Sequence, residues 1–118
     1  MKNRAFVERV GFALAGLREG WRRERSFRTQ AAIGLLVVAA LAILRPGAIW
    51  WALIGLVVAV VLAMEMLNAA LEALLDHLHP DTHPAIRAVK DMAAASVLLV
   101  SCGAVLVGAC MLVALWVG

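Results

Sequence analysis

Three long stretches of uncharged, mostly apolar residues constrain this chain more than any other feature of its sequence. They cover residues 31–44, 48–64 and 92–118. A helix needs about 20 apolar residues to cross a membrane, with about 17 as the lower bound. The third stretch is long enough to cross a membrane. The second is long enough when its polar continuation is counted, and the first is long enough if its helix begins near residue 27. The sequence therefore predicts three membrane-spanning helices.

The composition agrees with this prediction and excludes an ordinary soluble domain. Hydrophobic residues make up 64% of the chain, whereas soluble domains contain roughly 45–50%. We expect an all-α membrane protein in which residues 1–118 form a single domain. Its spanning helices are predicted at about 27–45, 48–75 and 90–118.

The N-terminal segment, residues 1–25, is predicted to be an amphipathic helix on the membrane surface. Its apolar residues recur every three or four positions, as on one face of a helix. They are Phe6, Val10, Leu14, Leu17 and Trp21. Basic residues flank this face, and a spanning helix follows closely, which favours a position in the interface plane. The alternative is a helix that packs on a soluble partner.

The distribution of basic residues predicts the orientation of the chain. Eight of them precede the first span, whereas only Arg45 lies between the first two spans. By the positive-inside rule, the N-terminus is cytoplasmic, the Arg45-Pro46-Gly47 turn is external, residues 77–84 form a cytoplasmic loop and the C-terminus is external. The net charge of +3 comes largely from this membrane-proximal segment, so we expect anionic lipid and no nucleic acid as its partner.

Polar residues continue directly from the second apolar stretch. Glu65, Asn68, Glu72 and Asp76 are spaced three or four residues apart, which places them within an arc of about 80° on one helix face. Acidic residues inside a membrane are costly and are usually functional. The pattern alone leaves open a proton relay, an ion pathway, a helix contact or phosphoryl transfer. No Walker A or kinase-type glycine motif narrows this choice.

A longer pattern does narrow it. The chain carries E-M-L-N-A-A-L-E at residues 65–72, then Asp76, then A-V-K-D-M-A-A at residues 88–94. Upstream it carries G-L-R at residues 16–18 and W-x-x-E-x-x-F-R at residues 21–28. Together these resemble the signature of the prokaryotic diacylglycerol kinase family. The resemblance implies a homotrimer with active sites shared between subunits, which binds Mg-ATP at the cytoplasmic face and a lipid alcohol from the bilayer.

The same resemblance implies roles for individual residues. Glu65 is implied to be the general base that contacts the lipid hydroxyl, and Glu24 and Glu72 are implied to bind Mg²⁺ and, with it, ATP. Asn68 and Asp76 are implied to support this network. Further ATP contacts are implied at Asp81, Thr82, His83, Lys90 and Asp91.

Some of these positions have alternative interpretations. Glu24 lies among five arginines, so a surface ion pair competes with metal binding. His83 competes as a solvated loop residue. A group near the start of the first span either guides the lipid headgroup or anchors the surface helix; it comprises Arg18, Trp21, Ser26 and Phe27. One position departs from the family pattern: Ala5 stands where better-known members carry an arginine, although Arg4 and Arg9 are close.

The sequence thus predicts an ATP-dependent lipid kinase of the bacterial inner membrane that converts diacylglycerol to phosphatidate. Undecaprenol phosphorylation is the alternative within the same family, because the segments around residues 24–27 and 83–84 are similar to that branch. A non-enzymatic proton or ion conductor is the remote alternative, since it would use the same acidic stripe.

Overall fold

The computed structural model describes residues 5–118, and all its regular structure there is helical. Lys2 and Arg4, two of the eight basic residues behind the predicted orientation, lie outside the described residues. Four helices follow one another: α1 (Phe6–Arg23), α2 (Arg25–Leu44), α3 (Ala48–Leu78) and α4 (Pro84–Val117). The last three are long and apolar enough to cross a membrane. The predicted all-α membrane fold with three spans is confirmed.

α1 and α2 meet at a corner of a single residue. Glu24 has extended backbone dihedrals, φ −112° and ψ 109°, and so ends one helix and caps the next. The Arg28 guanidinium donates from Nη1 to the carbonyl oxygens of Trp21 and Arg22, at 2.6 and 3.2 Å. These carbonyls belong to the last turn of α1, whose oxygens lack partners within the helix. Arg28 therefore fastens the start of α2 to the end of α1.

The turn predicted at Arg45-Pro46-Gly47 is found between α2 and α3. Arg45 adopts the left-handed conformation, with φ 53° and ψ 52°, and its N–H donates to the carbonyl of Leu41 at 2.8 Å. A residue in this conformation commonly ends a helix. Pro46 then prevents the helix from continuing, because it has no N–H to donate. Gly47 is extended and precedes the first residue of α3.

The polar ends of α3 and α4 extend further than the apolar stretches. α3 has 31 residues, so it is about 46 Å long, whereas the hydrocarbon core of a bilayer is about 30 Å thick. It continues through Leu78, and α4 already begins at Pro84. Pro84 occupies the first turn, where a missing N–H costs nothing. The helices are thus longer than their apolar stretches, because hydropathy indicates only the part inside the bilayer. Capping residues and prolines determine where the helices end.

The interior of the bundle is small and lies where α2, α3 and α4 meet. Leu41, Ile54 and Met111 form the buried cluster. α2 approaches α3 closely at Gly34, where a Cβ atom would lie 3.0 Å from Cγ1 of Val58. Small residues at helix crossings permit such close packing in membranes. This crossing also sets which residues at the start of α2 face the polar part of α3.

A substitution at this crossing tests the packing. We expect Gly34→Ala to lower the stability of the protein by about 1 kcal/mol, because overpacking costs about 1–3 kcal/mol and the gain in helix propensity returns about 1. Val58 cannot easily turn away, since its side chain is β-branched and stiff in a helix. Gly55→Ala is the control, because no atom lies within 4 Å of its added Cβ.

Denaturation in mixed micelles followed by circular dichroism measures both variants. We expect Gly34→Ala to unfold at a lower denaturant fraction than the parent protein, and Gly55→Ala to match or exceed the parent. Equal behaviour of the two variants would contradict the close α2–α3 packing.

Candidate active site

Glu65 lies buried between α3 and α2. Its side chain belongs to a residue only 6% exposed, the one buried charged residue among residues 5–118. The Ser26 hydroxyl, in the first turn of α2, donates from Oγ to Glu65 Oε2 at 3.1 Å. A buried carboxylate is costly unless it is hydrogen-bonded. The structure thus brings together Glu65 and Ser26, which are 39 positions apart in the chain.

The other carboxylate oxygen of Glu65, Oε1, has no hydrogen-bond partner within residues 5–118. One oxygen of Glu65 therefore accepts a hydrogen bond from Ser26, while the second keeps an unused capacity to accept one. A general base needs this arrangement, because it must meet the proton it removes.

Asn68 lies one turn further along the same face of α3. Its Oδ1 is enclosed and has no hydrogen-bond partner among residues 5–118. Buried polar atoms in folded proteins nearly always have a partner, and an exception calls for an explanation such as a ligand or a neighbouring chain. The amide therefore adds an unused acceptor to the polar stripe that contains Glu65.

Glu24 projects from the α1–α2 corner toward a groove between α1 and α3. The groove has a volume of about 290 Å³, and its α3 wall consists of Met66, Ala69, Ala70 and Ala73. α1 lies close to this wall at Gly20, where an added Cβ would come within 2.5 Å of Met66 Cε. Small residues on both helices therefore leave space beside the Glu24 carboxylate.

The arginines around Glu24 do not neutralise it. Arg22 and Arg23 form ion pairs with Glu19 instead, and Arg28 binds backbone carbonyls. The side chain of Glu24 has no ion pair or hydrogen bond with any of residues 5–118. The carboxylate of Glu72, half-buried on α3, is likewise unpaired within that range. Two carboxylates thus remain available for a cation.

Glu24 and Glu72 are suited to bind a magnesium ion whose other ligands come from a substrate. No group of three or more His, Cys, Asp or Glu residues in the described chain could hold a metal by itself. Mg²⁺, however, usually takes one or two carboxylates together with phosphate oxygens and water. Unpaired carboxylates supply hard oxygen ligands, so Glu24 and Glu72 each suit Mg²⁺ by their chemistry.

Ion pairs join the polar ends of α3 and α4. Lys90 Nζ donates to Asp76 Oδ1, which links the end of α3 to the start of α4. Asp91 pairs with Arg87 along α4, with 3.1 Å between Nε and Oδ1. Two implied nucleotide contacts, Lys90 and Asp91, are therefore both engaged with charged neighbours. Arg87 was not anticipated, although its spacing of four from Asp91 is readable as a helical ion pair.

The loop between α3 and α4 forms a small polar pocket of about 100 Å³. Asp81, Thr82 and His83 line it together with Arg87 and Lys90. His83 also caps α4, because its Nδ1 accepts a hydrogen bond from the backbone N–H of Ala85 at 3.0 Å. A side chain that accepts from the first turn satisfies an otherwise unpaired donor. This capping role of His83 was not foreseen from sequence.

The residues expected to face the lipid headgroup differ in their surroundings. Phe27 is buried, only 7% exposed, and meets Trp21 edge-on with ring centroids 6.5 Å apart. Arg18 is exposed on α1, and Ser26 is engaged with Glu65. Phe27 therefore packs the corner, while Trp21 and Arg18 remain on the outside.

Fold and site together define a small three-span membrane protein with an N-terminal helix beside the spans and acidic side chains along the polar half of α3. A family model for prokaryotic diacylglycerol kinase matches residues 11–112. The chain belongs to the prokaryotic diacylglycerol kinase family, as its motifs predicted, and it is an integral membrane protein.

Curated relatives agree with this family. The chain is 35% identical over 102 residues to a diacylglycerol kinase of Synechocystis sp., a match that covers 86% of this chain and 58% of the relative. It is 33% identical over 93 residues to the diacylglycerol kinase of Escherichia coli K12, covering 79% of this chain and 76% of the relative. The diacylglycerol kinase of Shigella flexneri gives the same values. The match thus spans little more than half the length of the Synechocystis protein.

Proposed function

We propose that the protein transfers the γ-phosphoryl group of ATP to the free hydroxyl of diacylglycerol and so forms phosphatidate. The observation that carries this proposal is the buried Glu65, which accepts a hydrogen bond from Ser26 at one oxygen and has no partner within residues 5–118 at the other. The relatives are named diacylglycerol kinases, which supports diacylglycerol as the phosphoryl acceptor. A membrane-embedded carboxylate suits a substrate whose reactive hydroxyl lies at the headgroup level of the bilayer.

In the proposed mechanism, Glu65 accepts the proton of the lipid hydroxyl while the hydroxyl oxygen bonds to the γ-phosphorus of ATP. The bond from that phosphorus to the β,γ-bridging oxygen breaks, and ADP leaves. Phosphoryl transfer requires little covalent chemistry from the protein, because positioning and charge stabilisation supply most of the rate. Diacylglycerol reaches Glu65 by lateral diffusion, so its acyl chains stay in the hydrocarbon. Trp21 and Arg18 are exposed on α1, and they would face the headgroup region. The donor ATP approaches from the opposite, aqueous side.

Glu24 and Glu72 are proposed to hold Mg²⁺ together with ATP. The bound ion would neutralise charge on the β- and γ-phosphates. The support for this assignment is that both carboxylates are unpaired within residues 5–118 although arginines surround Glu24. Asn68 would orient this network through its unused Oδ1.

The nucleotide is proposed to lie near the α3–α4 loop. The Lys90 ammonium group would move from Asp76 toward the phosphate oxygens of ATP, because an ammonium group attracts phosphate strongly. Asp91 and the loop residues Asp81, Thr82 and His83 would contact the remainder of ATP. The polar pocket formed by the loop and Lys90 supports this placement.

The assembly and orientation are part of the same proposal. The basic N-terminal segment favours a cytoplasmic N-terminus in the inner membrane, with the C-terminus external. The acidic cluster then faces cytoplasmic ATP. A homotrimer with shared sites is proposed because the family resemblance implies one, and a neighbouring subunit would add groups beside the polar stripe of α3.

An acceptor panel tests the proposed reaction. Purified protein in mixed micelles receives Mg-ATP labelled in its γ-phosphate and, in separate reactions, diacylglycerol, undecaprenol or no lipid. We expect labelled phosphatidate and little label on undecaprenol. Preferential labelling of undecaprenol would move the assignment to that branch of the family, and loss of label to water without a lipid product would contradict a lipid kinase.

A further inference from the structure

Two polar side chains at the α1–α2 corner, Glu24 and Ser26, lie beside different parts of α3. Glu24 lines the groove between α1 and α3, whereas Ser26, two residues later, reaches across to Glu65 on α3. The same short segment thus carries a proposed metal ligand and the partner of the proposed base. A displacement of this segment would disturb both groups at once.

Glu65 depends on Ser26 for its orientation. The Ser26 hydroxyl is the sole hydrogen-bond partner of the Glu65 carboxylate within residues 5–118. A glutamate side chain has several rotatable bonds, and one hydrogen bond to Oε2 restricts which way Oε1 points. We propose that Ser26 is a positioning residue, which holds Oε2 of Glu65 so that Oε1 meets the attacking hydroxyl. This inference rests on the proposed function, in which Glu65 is the base.

The residues that follow Ser26 hold the start of α2 in place. The neighbour of Ser26, Phe27, is buried and packs edge-on against Trp21. Two residues later, Arg28 binds the carbonyl oxygens of the last turn of α1. Precise catalytic groups need support of this kind, because a misplacement of about 1 Å costs up to about a hundredfold in rate. Ser26 is itself exposed, so these neighbours hold its backbone in place and the hydrogen bond to Glu65 orients its hydroxyl.

Two substitutions at Ser26 and one control isolate its hydroxyl. Ser26→Ala removes the donor, whereas Ser26→Thr keeps it. Thr29→Ala removes a hydroxyl one turn along that bonds within its own helix, from Oγ1 to the carbonyl of Arg25 at 3.1 Å. We expect Ser26→Ala to lower kcat about tenfold with KM for Mg-ATP within about twofold, since a hydrogen bond to a charged group is worth about that factor. Ser26→Thr and Thr29→Ala should retain the parent kcat.

Several results would overturn the proposal. They are an unchanged kcat in Ser26→Ala, an equal loss in Ser26→Thr, an equal loss in Thr29→Ala, or a change confined to KM. Circular dichroism melts of all three variants separate a positioning effect from misfolding. Because Ser26→Thr keeps the hydroxyl at the same site, its recovery of rate would exclude a purely structural role.

A spectroscopic measurement keeps this inference separate from the proposed function. Infrared difference spectra of protein labelled with ¹³C-glutamate identify the Glu65 carboxyl band as the one lost in Glu65→Gln. We expect Ser26→Ala to shift this band and Thr29→Ala to leave it in place. An unshifted band would contradict the hydrogen bond, whatever the activity. A shifted band in a protein that phosphorylates no lipid would leave the bond standing and refute the proposed function.

Discussion

Glu65→Gln is expected to lower kcat for diacylglycerol phosphorylation by about a thousandfold, within the usual range for a lost general base. The amide keeps the shape of the side chain and can still accept a bond from Ser26, but it cannot take up a proton. KM for Mg-ATP should stay within about twofold, because the nucleotide is bound by other groups. Steady-state kinetics over a range of Mg-ATP concentrations measure both constants.

Two further variants sharpen this test. Glu65→Asp keeps a carboxylate but shortens it by one methylene, so we expect an intermediate loss of kcat, because the base no longer reaches its hydroxyl. Glu8→Gln is the control for exchanging an acid for an amide at an exposed position of α1, and it should match the parent. Near-parent turnover in Glu65→Gln would remove Glu65 from its proposed role.

Glu72→Gln and Glu24→Gln are expected to raise the Mg²⁺ concentration needed for the half-maximal rate. We expect a shift of about ten- to a hundredfold for each, a range that even outer-shell partners of a metal reach. The reason is that the proposed Mg²⁺ site has only two protein carboxylates, so each would contribute a large part of the protein's affinity for the ion. Saturating Mg²⁺ should restore part of the lost rate.

Magnesium titrations of the initial rate at fixed ATP measure this shift. The Glu8→Gln control should superimpose on the parent curve, because Glu8 has no proposed part in holding the ion. Coincident titrations of the parent and Glu72→Gln would count against a metal role for Glu72. A uniform fall in rate without a shift of the midpoint would assign either acid to another task.

Much of the fold follows from local pattern. The three apolar stretches locate the spans because the bilayer requires a fixed length of apolar helix. The Arg45-Pro46-Gly47 turn is readable because Pro and Gly interrupt helices. The ends of α3 and α4 were less predictable. His83 caps α4 through its own side chain, so the helix begins at Pro84, within the polar segment and ahead of the apolar one.

The candidate site divides in the same way. Local pairs such as Arg87 with Asp91 follow helical spacing and are visible in the sequence. The bond from Ser26 to Glu65 is not, because it depends on how α2 crosses α3 near Gly34. The freedom of Glu24 from its neighbouring arginines also required the structure, since spacing alone favours an ion pair as much as a free acid. Contacts between helices thus carry the part of the site that sequence cannot supply.

The most direct test compares the parent protein with Glu65→Gln in the same lipid vesicles, supplied with diacylglycerol and ATP labelled in its γ-phosphate. Label in phosphatidate is counted after a single extraction. The account predicts that the parent forms labelled phosphatidate and that the variant forms almost none. Equal labelling by the two proteins, or no labelled lipid from the parent, would contradict it.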